Sequence, residues 1–158
     1  MGPTAPQDGP YDRAVTSFVR PDGIEIDDDR GRVDVDAVHR FLSEESYWAK
    51  GRDRETVVEL LREATRVVAA YEDGRQVGFA RCFSDRHTTA WINDVYIEDT
   101  HRGRRIGEDL VRFLIEGSDF PTIRWMLGTR DAHTFYAKLG FGIPGPFLLE
   151  RPPERMPS

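Results

Sequence analysis

The chain of 158 residues contains a single cysteine, Cys82, so no disulfide can form within it. No apolar run approaches the length of about 20 residues that a membrane-spanning helix needs. The N-terminus lacks the basic and apolar regions of a secretory signal peptide. These absences predict a cytoplasmic protein without a membrane partner.

The sequence also lacks an excess of positive charge. Its 22 Lys and Arg residues are outnumbered by 28 Asp and Glu residues, which gives a formal net charge of -6. Because an acidic protein repels a phosphate backbone, we expect no nucleic-acid partner and a preference for cationic small molecules. The phosphate-binding pattern G-x-x-x-x-G-K-[ST] is absent as well, which excludes a nucleotidase of the P-loop class.

No group of His, Cys, Asp or Glu has a spacing that requires a metal, so we expect none. The run Asp27-Asp28-Asp29 is the nearest candidate. It lacks the spaced oxygen ligands and the downstream glutamate of a calcium loop. A solvated turn is therefore the favoured interpretation.

The length fits one domain with a full core, and the chain has no internal repeat. Residues 1–20 are rich in proline and lack periodicity, which predicts a flexible N-terminal segment. Residues 21–151 are expected to form the single domain, and residues 152–158 a flexible tail. Near the start of the domain, a short strand is expected at either residues 15–19 or residues 24–26.

Residues 91–117 are the most informative stretch of the sequence. β-Branched and aromatic residues between positions 92 and 97 predict a strand. Apolar residues at helical spacing then predict a long helix, and they are Ile106, Leu110, Phe113 and Leu114. Strand and helix are joined by a basic loop with the sequence Arg102-Gly103-Arg104-Arg105-Ile106-Gly107.

The 102–107 loop has the chemistry of a pyrophosphate site. Its backbone N–H groups lie at the start of a helix, where they are unpaired and the helix dipole is positive. Gly103 and Gly107 lack a Cβ atom, so an oxyanion can approach the backbone closely. Charge-assisted donors come from Arg102, Arg104 and Arg105.

The remaining pattern predicts helices and strands on both sides of this stretch. Helices are expected from Asp34 to about residue 43, from Asp53 to about residue 64, and from about residue 129 to Gly140. Strands are expected at residues 67–71, 76–83, 88–97, 122–127 and 147–149. The first three of these strands are expected to be antiparallel, and the first two to form a hairpin with a glycine turn.

Two residues of the hairpin, Arg81 and Cys82, raise the question of what their side chains contact. Val77, Phe79 and Arg81 are expected to share one face, and Cys82 the other. Cys82 is interpreted as a small core residue, because the pattern implies no partner histidine. Arg81 is unusual on an apolar face, where it either bridges a carboxylate or lies at the rim.

Two motifs resemble the GNAT superfamily of N-acetyltransferases. R-G-R-R-I-G after V-Y-I is similar to the family's acyl-CoA loop, which has Gln or Arg, two residues, Gly, any residue, then Gly or Ala. Arg102 and Gly107 match the ends of that pattern, whereas Arg105 stands where the middle glycine is usual. The run R-D-A-H-T-F-Y-A-K-L-G-F, which contains Tyr136, resembles the family's helix with a tyrosine followed by Gly-Phe. The resemblance spans roughly residues 67–142.

The resemblance implies an α/β (α+β) fold with a mixed, mostly antiparallel central sheet that is flanked by helices and splayed at the acyl-CoA site. It also implies transfer of an acetyl group from acetyl-CoA, as co-substrate, to a primary amine by direct attack. The residues implied to bind acetyl-CoA are Val95, Tyr96, Ile97, Arg102, Gly103, Arg104, Arg105, Ile106 and Gly107.

The resemblance further implies that Tyr136 is the general acid for the departing CoA thiolate, although its apolar stripe also fits a core residue. Asp94 and Glu98 are candidate bases, and proton loss to solvent is an equal alternative. Tyr47 and Trp48 either line an acceptor pocket or fill the seam between the first two helices.

A non-catalytic acyl-CoA sensor is the competing class, because Arg105 departs from the family pattern. The acceptor is expected to be a small amine, with a peptide or protein amine as the alternative. The sequence leaves open whether the chain forms a homodimer.

Overall fold

The computed structural model describes residues 14–154, and its centre is a six-stranded sheet in the order β1-β2-β3-β4-β5-β6. The strands are Ser17–Val19 (β1), Glu25–Asp27 (β2), Arg66–Glu72 (β3), Arg75–Ser84 (β4), Thr89–Ile97 (β5) and Arg124–Met126 (β6). The helices are Val35–Arg40 (α1), Arg54–Glu63 (α2), Ile106–Glu116 (α3) and His133–Ala137 (α4). Short turns of 3-10 or π helix cover Arg30–Arg32, Phe41–Glu45 and Asp99–His101.

The sheet is mixed, with neighbouring strands from β1 to β5 antiparallel and only β5 and β6 parallel. Helix α3 provides the crossover between the two parallel strands, as a parallel pair requires. The mostly antiparallel fold with flanking helices that the sequence predicted is therefore confirmed.

Apolar side chains fill both faces of the sheet. On the face covered by α3, Leu110 and Leu114 pack in one buried cluster with Val68 and Ala80. On the other face, α1 and α2 contribute to a second buried cluster that also contains Phe79. Burial on both faces explains why β3 and β4 read as nearly continuous apolar runs rather than as alternating ones.

The first two helices begin at aspartates, as their sequence predicts. The Asp34 carboxylate accepts a hydrogen bond from the Ala37 N–H at 3.0 Å, and the Asp53 carboxylate accepts one from the Thr56 N–H at 2.8 Å. Each cap satisfies one of the N–H groups that a helix start leaves without a partner.

The ends of the chain differ in part from the expectation. Both segments offered as the first strand form strands, β1 and β2, which pair with each other. The strand expected at residues 147–149 was wrong, because these residues form no strand and Phe147 is 94% exposed. Residues 1–13 and 155–158 lie outside the described residues, so the proposed domain limits stay predictions.

The hairpin of β3 and β4 contains an irregularity that the sequence did not predict. The pairing shifts between Ala70 and Tyr71, which inserts one extra residue of β4 into the ladder. Val77 consequently packs with the α3-side cluster, whereas Phe79 packs on the opposite face. The expectation that Val77 and Phe79 share a face was therefore wrong.

The three aspartates at positions 27–29 have partners within the protein. Asp27 forms an ion pair with Arg32 at 2.6 Å, and Asp28 forms one with Arg66 at 2.5 Å. The Asp29 carboxylate accepts from the Gly31 N–H at 3.0 Å. Within residues 14–154, no group of His, Cys, Asp or Glu could hold a metal ion, and no helix is long and apolar enough to cross a membrane.

The C-terminal end of α3 is closed by Arg66 from the neighbouring sheet. Its guanidinium donates to the carbonyl oxygens of Leu114 at 3.1 Å and Phe113 at 3.0 Å. Gly117 follows directly, and a Cβ atom there would lie 2.7 Å from both the Arg66 Nη2 atom and the Phe113 oxygen. The close approach of Arg66 therefore requires glycine at this position.

We expect Gly117→Ala to lower the free energy of unfolding by about 1–3 kcal/mol, because the added methyl overlaps a backbone oxygen that cannot move freely. For a chain of this length, that change lowers the melting temperature by several degrees, measurable by thermal unfolding. Gly142→Ala is the matched control, since its Cβ would meet no atom within 4 Å. Equal stability of the two variants would contradict the inference that position 117 requires glycine.

Candidate active site

A β-bulge at Asp94 shapes the centre of β5. Phe79 pairs with Tyr96 and Arg81 pairs with Asn93, so Ala80 alone faces two residues, Asp94 and Val95. Asp94 adopts the left-handed conformation, with φ of 54°. Aspartate tolerates this region better than most residues, because its short polar side chain can bond locally. The bulge re-aims the strand at the point where it leaves its parallel neighbour.

β5 and β6 separate just before the bulge. Their pairing covers only Thr89 to Trp91 on β5, opposite Arg124 to Met126 on β6. From Ile92 onward, β5 has no strand partner on this side among residues 14–154. The splayed strands that the family resemblance implied are therefore present.

A cavity of about 410 Å³ opens where the strands separate. It brings together residues from four parts of the chain, and those that matter for its chemistry are Tyr47, Trp48, Asp94, Val95, Arg130 and Tyr136. The sequence placed all of these except Arg130 in a site. The cavity is therefore the candidate active site.

The 102–107 loop leads from β5 into α3. The first turn of α3 has no side-chain cap, because its N-cap residue is Arg105. The N–H groups of Ile106, Gly107 and Glu108 therefore have no acceptor within residues 14–154. A helix start of this kind provides the donors and the positive dipole that suit a phosphate group.

Arg105 stands where the middle glycine is usual, and its backbone adopts a conformation that glycine favours. Its φ of 61° lies in the left-handed region, where glycine has no steric penalty. Its side chain is 85% exposed, with Glu108 4.0 Å away. Arg105 thus adopts a glycine-like backbone conformation at a cost in strain.

The other loop arginines are paired with acidic residues. Arg104 forms ion pairs with Asp22 at 3.1 Å and Glu72 at 3.3 Å, and Arg102 pairs with Asp99 at 2.7 Å. Hydrogen bonds from His101 and Arg104 lower the pKa of Glu72. The charges of Arg102 and Arg104 are therefore partly offset within the protein, whereas the N–H groups of residues 106–108 are not engaged within the described part of the chain.

Arg20 supports the loop from near the start of the chain, a role that no motif in the sequence indicates. Its guanidinium donates to the carbonyl oxygens of Arg104 at 2.7 Å and Arg105 at 3.0 Å. It also forms an ion pair with Asp109 in the first turn of α3. These contacts fix the loop carbonyls on the β1 side.

Tyr136 lies on α4, with its ring packed and its hydroxyl group bordering the cavity. The ring makes edge contacts with Phe135 and Phe141, at centroid distances of 4.9 and 5.8 Å. Burial, with a smaller contribution from Tyr47, raises the pKa of Tyr136 to about 12. The phenol is therefore protonated throughout the neutral range.

Tyr47 and Trp48 also border the cavity, and their rings meet edge to face at 5.1 Å. The Tyr47 hydroxyl accepts a hydrogen bond from the Arg130 N–H at 2.9 Å, and the Arg130 guanidinium lies 3.8 Å from the centre of the Tyr47 ring. Both aromatics remain about 40% exposed, and their assignment to an acceptor pocket stays a prediction.

Four residues form what we call the Asp94 cluster: Trp48, Arg52, Arg81 and Asp94. The Asp94 carboxylate accepts from the Trp48 indole N–H at 3.0 Å, from Arg52 at 3.0 and 3.1 Å, and from Arg81 at 2.7 Å. Of the two roles left open for Arg81, the structure shows a bridge to a carboxylate. Arg52 was not identified in the sequence.

Two other sequence candidates, Glu98 and Tyr96, lie away from the cavity, as does the core residue Cys82. Glu98 pairs with Arg75 at 2.7 Å and borders a different cavity of about 210 Å³. The Tyr96 ring stacks on Phe41 at 4.1 Å on the α1 side of the sheet, so only its backbone can face the gap. Cys82 is buried, and burial raises the pKa of its thiol to about 11.

Comparison with known proteins agrees with this architecture. A model of the acetyltransferase (GNAT) domain matches residues 63–143. A protein from Xanthomonas campestris pv. campestris, assigned to the GNAT family, is 34% identical with a TM-score of 0.77, covering 81% of this chain and 92% of that chain. The chain thus has the fold of an acetyltransferase. It belongs to the GNAT family.

More distant structures share the fold. A predicted acetyltransferase from Clostridium acetobutylicum, solved with acetyl-CoA, is 17% identical with a TM-score of 0.59, covering 74% of this chain and 86% of that chain. Glucosamine-6-phosphate N-acetyltransferase from Arabidopsis thaliana is 15% identical with a TM-score of 0.56, covering 81% and 97%. A comparison with curated proteins found no match.

We expect Gly107→Glu to weaken CoA binding about 100-fold or more, because the new carboxylate would lie beside the pyrophosphate donors. A Cβ at this position would be 3.4 Å from Phe135 and 3.5 Å from Ile97, which is ordinary contact. Gly107→Ala is therefore the control and should keep most of the affinity. Calorimetry measures both, and melting temperatures check folding. Equal affinities for wild type and Gly107→Glu would refute the loop assignment.

Arg105→Gly should raise the free energy of unfolding by about 1 kcal/mol, because glycine removes the left-handed strain. CoA affinity should stay within about tenfold, since the exposed arginine is not the main donor. Arg105→Ala removes the same charge but keeps a Cβ, so it separates strain from charge. Urea unfolding and CoA titration are the measurements. Lower stability of the glycine variant would contradict the inferred backbone strain at Arg105.

Proposed function

We propose that the protein is an N-acetyltransferase that moves the acetyl group of acetyl-CoA to a primary amine by direct attack. The observation that carries the proposal is the common position of three features along one gap in the sheet. They are the splayed, bulged edge of β5, the uncapped start of α3 and the protonated hydroxyl of Tyr136.

The residues of this gap fit a nucleotide thioester. The N–H groups at the start of α3 would hold the pyrophosphate, and Gly103 and Gly107 leave room beside them. The open edge of β5 from Val95 to Ile97 would pair with the amide-containing arm. Acetyl-CoA supplies an activated acetyl group, so the protein itself needs no nucleophile.

Two groups of the chain would act on the reacting atoms. A backbone N–H at the bulge would stabilise the oxyanion that forms when the amine attacks the thioester carbonyl. Tyr136 would donate its proton to the departing sulfur as the carbon–sulfur bond breaks. A thiolate with an ordinary pKa of about 8.5 is already a moderate leaving group, so the acid contributes part of the rate and not all of it.

Tyr47, Trp48 and Arg130 supply the remaining wall of the cavity, which we assign to the acceptor. The Arg130 guanidinium lies 3.8 Å from the centre of the Tyr47 ring, so it occupies a position that a cationic acceptor would need for a cation–π contact. The ring of Trp48 is still accessible. A small amine fits the cavity volume of about 410 Å³, and a peptide amine that enters by its side chain is the alternative.

The competing function, a non-catalytic acyl-CoA sensor, was based on Arg105 in place of glycine. Because Arg105 adopts the left-handed conformation that glycine favours, the loop keeps its N–H groups available. A sensor also has no need for a buried tyrosine hydroxyl beside the thioester site. The catalytic function is therefore the better account of the cavity.

Release of free thiol from acetyl-CoA across a panel of primary amines tests the proposed function. The panel should include small amines, amino acids and lysine-containing peptides, and mass spectrometry should identify the acetylated product. Tight CoA binding without acetyl transfer to any amine would favour the sensor.

We expect Tyr136→Phe to lower kcat by one order of magnitude or more, since general acid catalysis typically contributes about 10²–10⁴-fold. The substitution keeps the ring packing, so CoA affinity and melting temperature should change little. Tyr71→Phe is the matched control, because it removes a buried hydroxyl that does not border the cavity. Full kcat in Tyr136→Phe would eliminate the acid role and leave Tyr136 as a core aromatic.

A further inference from the structure

The Asp94 cluster joins three separate parts of the chain at the wall of the cavity. Asp94 comes from the bulge of β5, Arg81 from β4, and Trp48 and Arg52 from the segment before α2. The side chains of Asp94 and Arg81 are 4% and 9% exposed, and that of Arg52 is 23% exposed. The cluster therefore holds residues 46–53, which we call the acceptor loop, against the sheet, next to the bulge.

Each oxygen of the Asp94 carboxylate accepts two hydrogen bonds from protein side chains. One oxygen accepts from Trp48 and Arg52, and the other accepts from Arg52 and Arg81. A general base needs a free lone pair directed at the proton it removes. The carboxylate of Asp94 is instead committed to two guanidinium groups and an indole.

The charges of the cluster do not cancel. Two guanidinium groups share one carboxylate, which leaves one net positive charge that is mostly withdrawn from water. Interactions with such a charge are stronger than those at an exposed surface. The other charged groups of the cavity wall, Arg130 and Asp131, lie 3.7 Å apart and offset each other, with both side chains well exposed.

The titratable groups that face the cavity from other elements do not reverse this sign. Tyr136 on α4 is uncharged at neutral pH because burial raises its pKa to about 12. Tyr47 comes from the acceptor loop, and its hydroxyl group accepts from the Arg130 N–H. The acceptor amine therefore meets a net cationic wall.

We propose that Arg52, Arg81 and Asp94 are positioning residues whose net positive charge favours the neutral, nucleophilic form of the acceptor amine. A nearby cation disfavours protonation of an amine, as it does for lysines that act as nucleophiles beside another cation. The amine loses its proton to solvent before it attacks, and Asp94 takes no proton. This inference rests on the proposed function.

The pH dependence of kcat at saturating acetyl-CoA and amine separates this role from a base. In wild type, kcat should rise with pH as the bound amine loses its proton. Arg52→Gln removes a positive charge, so the rise should move to higher pH by about one unit. Arg52→Lys keeps the charge and should restore the wild-type position. An unmoved rise in Arg52→Gln would overturn the proposal.

Asp94→Asn gives the opposite sign. Asparagine tolerates the left-handed backbone, so the bulge should persist, while the lost negative charge should move the rise to lower pH. If Asp94 were the base, this variant would lose the rise and about 10²–10⁴-fold of kcat, which would overturn the proposal. Unchanged CoA affinity and melting temperatures confirm that each variant is folded.

A measurement that needs no turnover tests the cluster itself. The Trp48 indole N–H signal in NMR spectra, assigned with Trp48→Phe, should move in Asp94→Asn and stay nearly fixed in Arg54→Gln, which removes an exposed ion pair with Asp36. An unmoved signal in Asp94→Asn would show that the Trp48 indole does not bond to Asp94, and would overturn the proposal. Absence of acetyl transfer in wild type, with the signal moving as expected, would instead reject the proposed function.

Discussion

The left-handed residue in the middle of β5 is the constraint on which the site depends. A strand that carries one extra residue cannot continue the regular ladder, so β5 turns away from β6 after three paired positions. The gap opens next to the start of α3, because a short 3-10 turn and the 102–107 loop connect the same strand to that helix. Asp94 is held in this conformation by donors from two other segments, which links the shape of the gap to the acceptor loop.

The 102–107 loop depends on a second long-range contact. Arg20, which follows β1, bonds to two carbonyl oxygens of the loop and to a carboxylate on α3. With the carbonyl groups engaged on one side, the N–H groups at the helix start remain available on the other. The short first strand is therefore more than an edge of the sheet, because the residue that orients the loop follows it directly.

Local sequence signals predicted much of this fold. Asp34 and Asp53 mark helix starts by side-chain capping, and the spacing of Ile106, Leu110 and Leu114 marks the buried face of α3. The 102–107 loop and Tyr136 were found because their motifs are contiguous. One error arose where the outcome depended on register, because the face of Val77 is set by an irregular pairing with β3. Residues 147–149 have an apolar pattern but form no strand.

By itself, the sequence determined the order of the elements, the loop at the start of α3 and the aromatic pair Tyr47 and Trp48 between the first two helices, since each of these depends on neighbours within a few positions. Only the tertiary structure decided what the polar residues between them do. Arg52, Arg81 and Asp94 are separated by up to 42 positions, and no periodicity connects them. A buried charge is stable only with partners, and folding alone selects which distant residues those partners are.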